Sequence, residues 1–527
     1  MKLTFTLIIL CFSLELMAQK AGTLDSSFGV DGKVLTAFNN QSSVVIYHAI
    51  TQPDGKIITV GDFTSDDTTL ASGFLAIRYT ANGLLDSTFG QDGKAVIVFD
   101  DQDDARALGA AIQSDGKIIL DGVGNKGLFS VKYSGLIARL NTNGTLDLSF
   151  GEHGIIETRF SKSREGYTTV ALQTDGKIVA AGYTNNNTGL ISCFSENGIL
   201  DSTFGKNGYI ITQQYIHLND CKIQTDGKIV LCGDYQPVYY PEYCMQRYLS
   251  NGSLDIEFGN QGTVSLQPNP AGNQFNALSF QSDGKIVATG VDGIYSPNRV
   301  SYFGTARFDI QGRLDSTFGT NGIVITAFGD SLSFANSVLI SKEDEIFLGG
   351  EKALDSAGDY ALIKLTKDGK TDSLFGQDGK VTTDFGYVDG ITSLMFQQNG
   401  KIVAAGETML PPVYYGSLAR YNNDGETKKQ IIIQKIKHYI QTHNAQATTL
   451  NNVFVYPNPA QSILHIQGLS SNAKLTVVDL SGSITLSSEL RAMSGVYNLN
   501  IASLHAGNYL LKIETNGEVV TKQFVKE

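Results

Sequence analysis

An acid and a cation recur together along this chain of 527 residues, and their pairing is the first chemistry its sequence offers. The acid opens the string D-x-x-F-G-x-x-G, found seven times, at Asp25, Asp86, Asp147, Asp201, Asp255, Asp315 and Asp372. The cation stands five residues before a turn glycine, as Arg78, Arg139, Arg247, Arg307, Lys364 and Arg420, with Cys193 in that place in one further copy. A ring of cations could hold an anionic ligand. Opposite charges that each recur once per repeat argue instead for an ion pair, so we read both as structural, with the Phe of the string packing between repeats.

Other chemistry is sparse. The chain has no H-E-x-x-H, G-x-S-x-G or P-loop string. Its seven histidines are scattered, and no pair of carboxylates for glycoside cleavage can be chosen among so many aspartates. No catalytic residue is assigned, and no metal or cofactor is expected. The cluster Asp100, Asp101, Asp103 and Asp104 is read as a solvated loop, because a calcium loop needs further ligands that cannot be assigned. Cys221 and Cys232 flank Asp226-Gly227. Counted as a two-residue hairpin, that turn sets them opposite each other, where a disulfide could form. Four small buried thiols (with Cys193 and Cys244) is the expected state.

The elements that position these residues are repeats. A second string, roughly Q-x-D-G-K-I-V-x-x-G, also recurs seven times and closes at Gly61, Gly122, Gly182, Gly233, Gly290, Gly350 and Gly406. One copy is altered, with Glu343-Asp344-Glu345 at the turn. Each unit reads as four short strands, a to d. In the second unit these are Ala107–Gln113, Lys117–Leu120, Ser134–Leu140 and Ile155–Phe160, with turns at Asp115-Gly116 and Asn143-Gly144. Such units match propeller blades.

The ends are complementary. The N-terminal segment supplies only a strand d, about Lys33–Phe38, and the last unit supplies a, b and c over Ile391–Tyr421. Joining them closes the ring and removes an exposed edge. The expected fold is all-β: a seven-bladed β-propeller with the N-terminal strand completing the last blade, plus a small C-terminal Ig-like β-sandwich. The a–b and c–d turns share one face and are alike, while the b–c and d–a loops share the other and vary. Binding is expected on the variable face. Its tyrosines, Tyr235, Tyr239, Tyr240, Tyr243, Tyr295, Tyr302, Tyr414 and Tyr415, offer a flat apolar ring with a hydroxyl, suited to sugars or peptides.

Export is legible at both ends. Met1-Lys2 followed by the apolar run Leu3–Leu14 and Ala18 reads as a signal peptide of residues 1–18, too short to span a membrane. No later run approaches a membrane span. A net charge of −12 without a basic block disfavours nucleic acid. The repeats occupy 19–427, a linker is expected over 428–452, and a new all-β pattern runs over 453–527.

The D-S-T-F-G and D-G-K-I-V-A-A-G forms resemble the delta-60 repeat family of bacterial secreted proteins, which implies a fold more than an activity. The last module resembles the type A C-terminal sorting domain of the type IX secretion system. Tyr456-Pro457-Asn458-Pro459, Gly507 and Tyr509, and the ending from Lys522 to Lys526 carry that match. It implies a Bacteroidetes-type host, type IX machinery as partner, and delivery outside the cell or to its outer-membrane surface. The expected function is a secreted propeller that binds a glycan or protein, or serves structurally, without catalysis. The alternative is an extracellular polysaccharide hydrolase or lyase.

Overall fold

The computed structural model describes residues 20–38, 42–64, 73–99, 102, 104–125, 133–160, 164–184, 188–212, 216–236, 240–294, 300–329, 332–354, 357–411, 413–423, 453–469, 472–479, 484–490, 496–515 and 518–527. The expected signal peptide and linker lie outside them. All regular elements among the described residues are strands. The chain divides into two compact units, one of residues 19–423 and one at the C-terminus.

The first unit is built of antiparallel meanders in which each strand pairs with the next in sequence. Four-stranded sheets begin at Ser43, Asp104, Glu165, Ile216 and Asn273. The meander starting at Leu332 and the one starting at Val388 share a sheet only through one parallel pair, Gly358 with Val388. The last meander takes its fourth strand from the N-terminus: Lys33–Thr36 pairs antiparallel with Gly416–Ala419. The flanking chain extends the join, with the Asp25 amide donating to Arg420 O at 2.8 Å and the Gly22 amide to Asn422 O at 2.7 Å. Side chains of the first and last meanders meet in one core, where Val44, Ile46 and Leu75 pack with Met395, Val403 and Leu418.

A second tie runs between neighbouring meanders. The glycine of each D-x-x-F-G string donates its amide to the c–d turn of the next repeat, at Asn82, Asn143, Asn197, Asn251, Gln311 and Asp368, over 2.7–3.1 Å. The last of them, Gly376, donates to Ala21, just before Gly22. Gly22 has φ +83°, and a Cβ there would lie 2.5 Å from the Gly376 nitrogen. It therefore occupies the place of a c–d turn glycine, where only glycine fits.

The a–b hairpins correct one expectation. Gln113 and Lys117 form the closing pair, so Ser114, Asp115 and Gly116 make a three-residue loop rather than a two-residue one. The same holds at Gln224–Lys228, where Gly227 has φ +83°. One extra residue shifts the register by one and reverses which face each side chain takes. Cys221 thus pairs with Leu231, and Cys232 with Asp220. The two sulfurs enter different cores, and the four cysteines among the described residues, Cys193, Cys221, Cys232 and Cys244, are buried free thiols.

Every strand a carries a bulge before its pairing resumes, and the bulged residues are Tyr47, Leu108, Thr168, Asn219, Asn276, Asn336 and Thr392. A bulge leaves backbone groups without ladder partners. Polar bulge residues use this, reaching to the carbonyl of the next repeat: Asn219 to Phe275, Asn276 to Ala335, and Asn336 to Ile391, at 2.8–3.0 Å.

The C-terminal unit has a three-stranded sheet (Phe454–Tyr456, Ile463–Gln467, Val496–Asn500) and a four-stranded one (Ile484–Leu490, Ala473–Asp479, Gly507–Thr515, Glu518–Lys526) over a shared core.

Candidate functional site

The repeated charges are paired inside the repeats. Arg78 meets Asp86, Arg139 meets Asp147 and Arg247 meets Asp255 at 2.8 Å, and Arg307 meets Asp315 at 3.0 Å. Arg420 meets Asp25 across the chain ends at 2.6 Å. Each of these guanidinium groups also lies 4.5–4.7 Å from the centre of its Phe ring. The turn lysine adds a second cation, as in Lys117–Asp147 and Lys177–Asp201, both at 3.0 Å. Lys177 alone serves Asp201, because the buried Cys193 replaces the arginine. Burial would raise the Asp25 carboxyl. Hydrogen bonds from Lys401 and Ser27 and the charge of Arg420 overcome it and hold the group at about 2. These cations are consumed by their partners and are not open to a ligand.

Strand a of every repeat instead lines a central cavity of about 820 Å³. Its ionisable lining is confined to Tyr47, His48, Asp220 and Lys222. Lys222 donates to Asp220 at 2.7 Å, and the other Asp220 oxygen accepts the Leu278 amide at 3.0 Å. His48 is held neutral, with burial first and the Lys222 charge second pulling it down to about 4.

Variation concentrates just beyond the bulges, on the side of the b–c and d–a loops. The residue after each closing glycine of the second string is Asp62, Val123, Tyr183, Asp234, Val291, Glu351 or Glu407. It pairs across the ladder with Val45, Arg106, Gly166, His217, Gln274, Phe334 or Gly390. Arg106 approaches Asp62 at 3.4 Å and Asp104 at 3.0 Å, and His217 approaches Asp234 at 3.5 Å. Burial, with Arg106 opposing, pushes Asp62 up to about 6. Burial, then the charges of Glu407 and Asp389, push Glu351 up to about 7.

At this level a pocket of about 250 Å³ opens between repeats, walled by Tyr47, Tyr133 and Tyr183 with Arg106 and Asp104. The three rings come from three consecutive repeats: a bulge, the start of a strand c and the residue after a closing glycine. Burial raises the Tyr47 and Tyr183 hydroxyls, so both stay neutral donors. None of the three stands among the tyrosines expected from the sequence. The signal that marks Tyr183 is its place beside an invariant glycine, where every other repeat differs.

The expected tyrosines scatter. Tyr239 and Tyr295 lie outside the described residues. Tyr240 is exposed, while Tyr235, Tyr302, Tyr414 and Tyr415 are half-buried on three separate repeats. Tyr243 is fully buried and stacks on Phe275 with centroids 3.9 Å apart, because its alternation points it into the next repeat. Of the acidic loop, Asp100, Asp101 and Asp103 lie outside the described residues, and Asp104 is engaged with Arg106.

In the C-terminal unit the two ends of the module meet. Asn458 accepts the Val525 amide at 2.9 Å, Ala460 donates to Val525 O at 2.8 Å, and Gly507 pairs with Lys526. Tyr509 stacks on Phe524 at 5.6 Å, and Lys522 pairs with Leu511. Tyr456, before Pro457 and Pro459, pairs with His465.

Residues 454–527 match the family model described as the secretion system C-terminal sorting domain. Segments 52–89, 113–150, 173–204, 224–258, 281–318 and 397–427 match the model described as a domain of unknown function (DUF5122) beta-propeller. The chain carries DUF5122 β-propeller repeats and a type IX sorting domain. The sorting domain indicates export to the cell surface or extracellular space and engagement of the type IX machinery. The altered turn at Glu343–Glu345 falls between the matched propeller segments. Among solved structures, the chain is similar to a protein of unknown function from Bacteroides caccae, with 11% identity over 56% of this chain and 98% of that one and a TM-score of 0.33. It is similar to PorZ, a surface component of the type IX secretion system of Porphyromonas gingivalis, with 9% identity over 96% and 86% and a TM-score of 0.24. It is also similar to the NanB sialidase of Streptococcus pneumoniae, with 11% identity over 75% and 70% and a TM-score of 0.36. A comparison with curated proteins returned no match.

Proposed function

We propose that this chain is a secreted or surface-displayed seven-bladed propeller that binds a glycan or protein outside the cell, its C-terminal Ig-like sandwich serving for delivery. The observation that carries this reading is the convergence of Tyr47, Tyr133 and Tyr183 with Arg106 and Asp104 on one pocket. Flat rings flanked by fixed donors and acceptors suit a sugar face or a peptide turn. The loop tyrosines Tyr235, Tyr240, Tyr302, Tyr414 and Tyr415 stand on three other repeats and do not line this pocket.

A second reading rests on Glu351. Held at about 7 and coupled to Glu407, it has the protonation behaviour of a general acid in an extracellular polysaccharide hydrolase or lyase. A glycan array read alongside product analysis separates the two. Retention without turnover, weakened by Tyr183→Ala, supports binding. Turnover abolished by Glu351→Gln supports the enzyme. Neither retention nor turnover overturns both and leaves a structural module.

A further inference from the structure

We propose that Asp359, Asp384 and Asp389 form a calcium-class divalent cation site in the last two repeats of the ring. Asp359 opens the strand c of one repeat, and Asp384 and Asp389 bracket the connection into strand a of the next. One ligand oxygen from each lies within 4.8 Å of the others. Calcium binds oxygen at about 2.3–2.6 Å, so ligands of one ion stand at most about 5 Å apart. The three carboxylates meet that limit, although they repel one another.

The second observation is a buried acceptor. Asp389 is fully buried; one oxygen accepts the Phe385 amide at 2.5 Å, and the other, Oδ1, has no hydrogen-bond partner. The Thr408 hydroxyl, paired opposite on the neighbouring strand, favours the carboxylate electrostatically but lies outside hydrogen-bond geometry and is itself unpartnered. A buried carboxylate oxygen without a donor is costly, and a cation removes the cost. Among the described residues no lysine or arginine forms an ion pair with any of the three acids. Lys352 influences Asp359 only at longer range, and Lys33 spends its amine on the Asp384 carbonyl at 2.5 Å.

The connection is already shaped for the ion. Asp384 accepts the Gly386 amide at 2.7 Å, and the Tyr387 carbonyl takes the Gly358 amide at 3.0 Å, so the two repeats hold their acids in fixed positions. Oxygen-only ligands favour calcium over zinc or copper, and a site with an exposed member suits an affinity of about 0.1–1 mM, usual for extracellular modules.

The test is thermal unfolding and calorimetric titration of the full chain with calcium chloride to about 10 mM after chelation, with magnesium as the comparison. We expect calcium to raise Tm saturably and magnesium to do so less. Asp384→Asn, at an exposed position, should weaken calcium binding at least about tenfold without lowering the calcium-free Tm, since it relieves repulsion on Asp359 and Asp389. Asp389→Asn should raise the calcium-free Tm and remove the calcium response. An unresponsive wild-type chain, or an equal response in both variants, overturns the site.

Discussion

Lys364 and Glu345 pair at 2.9 Å inside the one repeat whose a–b turn has lost its lysine. In five other repeats two cations share one aspartate. Here Lys364, 1% exposed at its side chain, bridges Glu345 and Asp372, the latter at 3.2 Å. The altered turn and the exchange of arginine for lysine are thus two halves of one change: a second acid replaces a second cation around the same buried core.

Removing that cation leaves two half-buried acids facing each other. Lys364→Met should destabilise the propeller by about 3–5 kcal/mol, the usual cost of stranding a buried charge. Adding Glu345→Gln and Asp372→Asn should recover most of the loss. Denaturant melts of the single and triple variants check this, and an unrecovered loss would point to packing rather than charge.

Ring closure depends on a short strand. Removing residues 19–38 strips Gly416–Ala419 of its partner and Arg420 of Asp25, leaving an open edge. The truncated chain should melt lower and self-associate. A peptide of residues 20–38 should restore the melting temperature by adding a strand. Equal stability of the truncated and intact chains would contradict the closure.

Asp121 carries a pH dependence. It is fully buried, neither oxygen has a partner, and burial pushes its carboxyl from 3.8 to about 8. Below pH 4 the group is neutral in both folded and unfolded chains and costs little. As pH rises the unfolded chain ionises first, so the stability it contributes is lost progressively up to about pH 8. Asp121→Ala, the residue found at this position as Ala181 and Ala405, should therefore raise Tm more at pH 8 than at pH 5. A gap independent of pH would exclude ionisation as its cause.

Delivery rests on the C-terminal unit. Deleting residues 453–527 in a type IX-competent host should leave the propeller inside the outer membrane, read by fractionation. Asn458→Ala, which removes the contact to the last strand, should lower the extracellular share less completely. Undiminished extracellular protein in the deletion would contradict the role.

The repeats were legible because glycine turns and the D-x-x-F-G string recur at positions with a strict backbone demand. The strand Lys33–Phe38 could be matched to the last unit, Ile391–Tyr421, by what each end lacked. Pairing of Arg78 with Asp86 followed from opposite charges at a fixed interval. Facing was less legible. A three-residue loop read as two residues turned Cys221 and Cys232 to opposite sides, and Tyr243 was read as a loop residue although it enters the core. The pocket tyrosines were missed because they come from three different strand positions. Asp359, Asp384 and Asp389 converge only once two repeats pack, and local spacing does not encode that.

The most direct test of the proposed function is affinity for an extracellular glycan or peptide, screened with the full chain and remeasured after Tyr47→Ala and Tyr183→Ala. The account predicts a retained ligand whose affinity falls about tenfold or more in each variant, while Tyr240→Ala, outside the pocket, costs less. A ligand held equally well by the wild type and both pocket variants would contradict it.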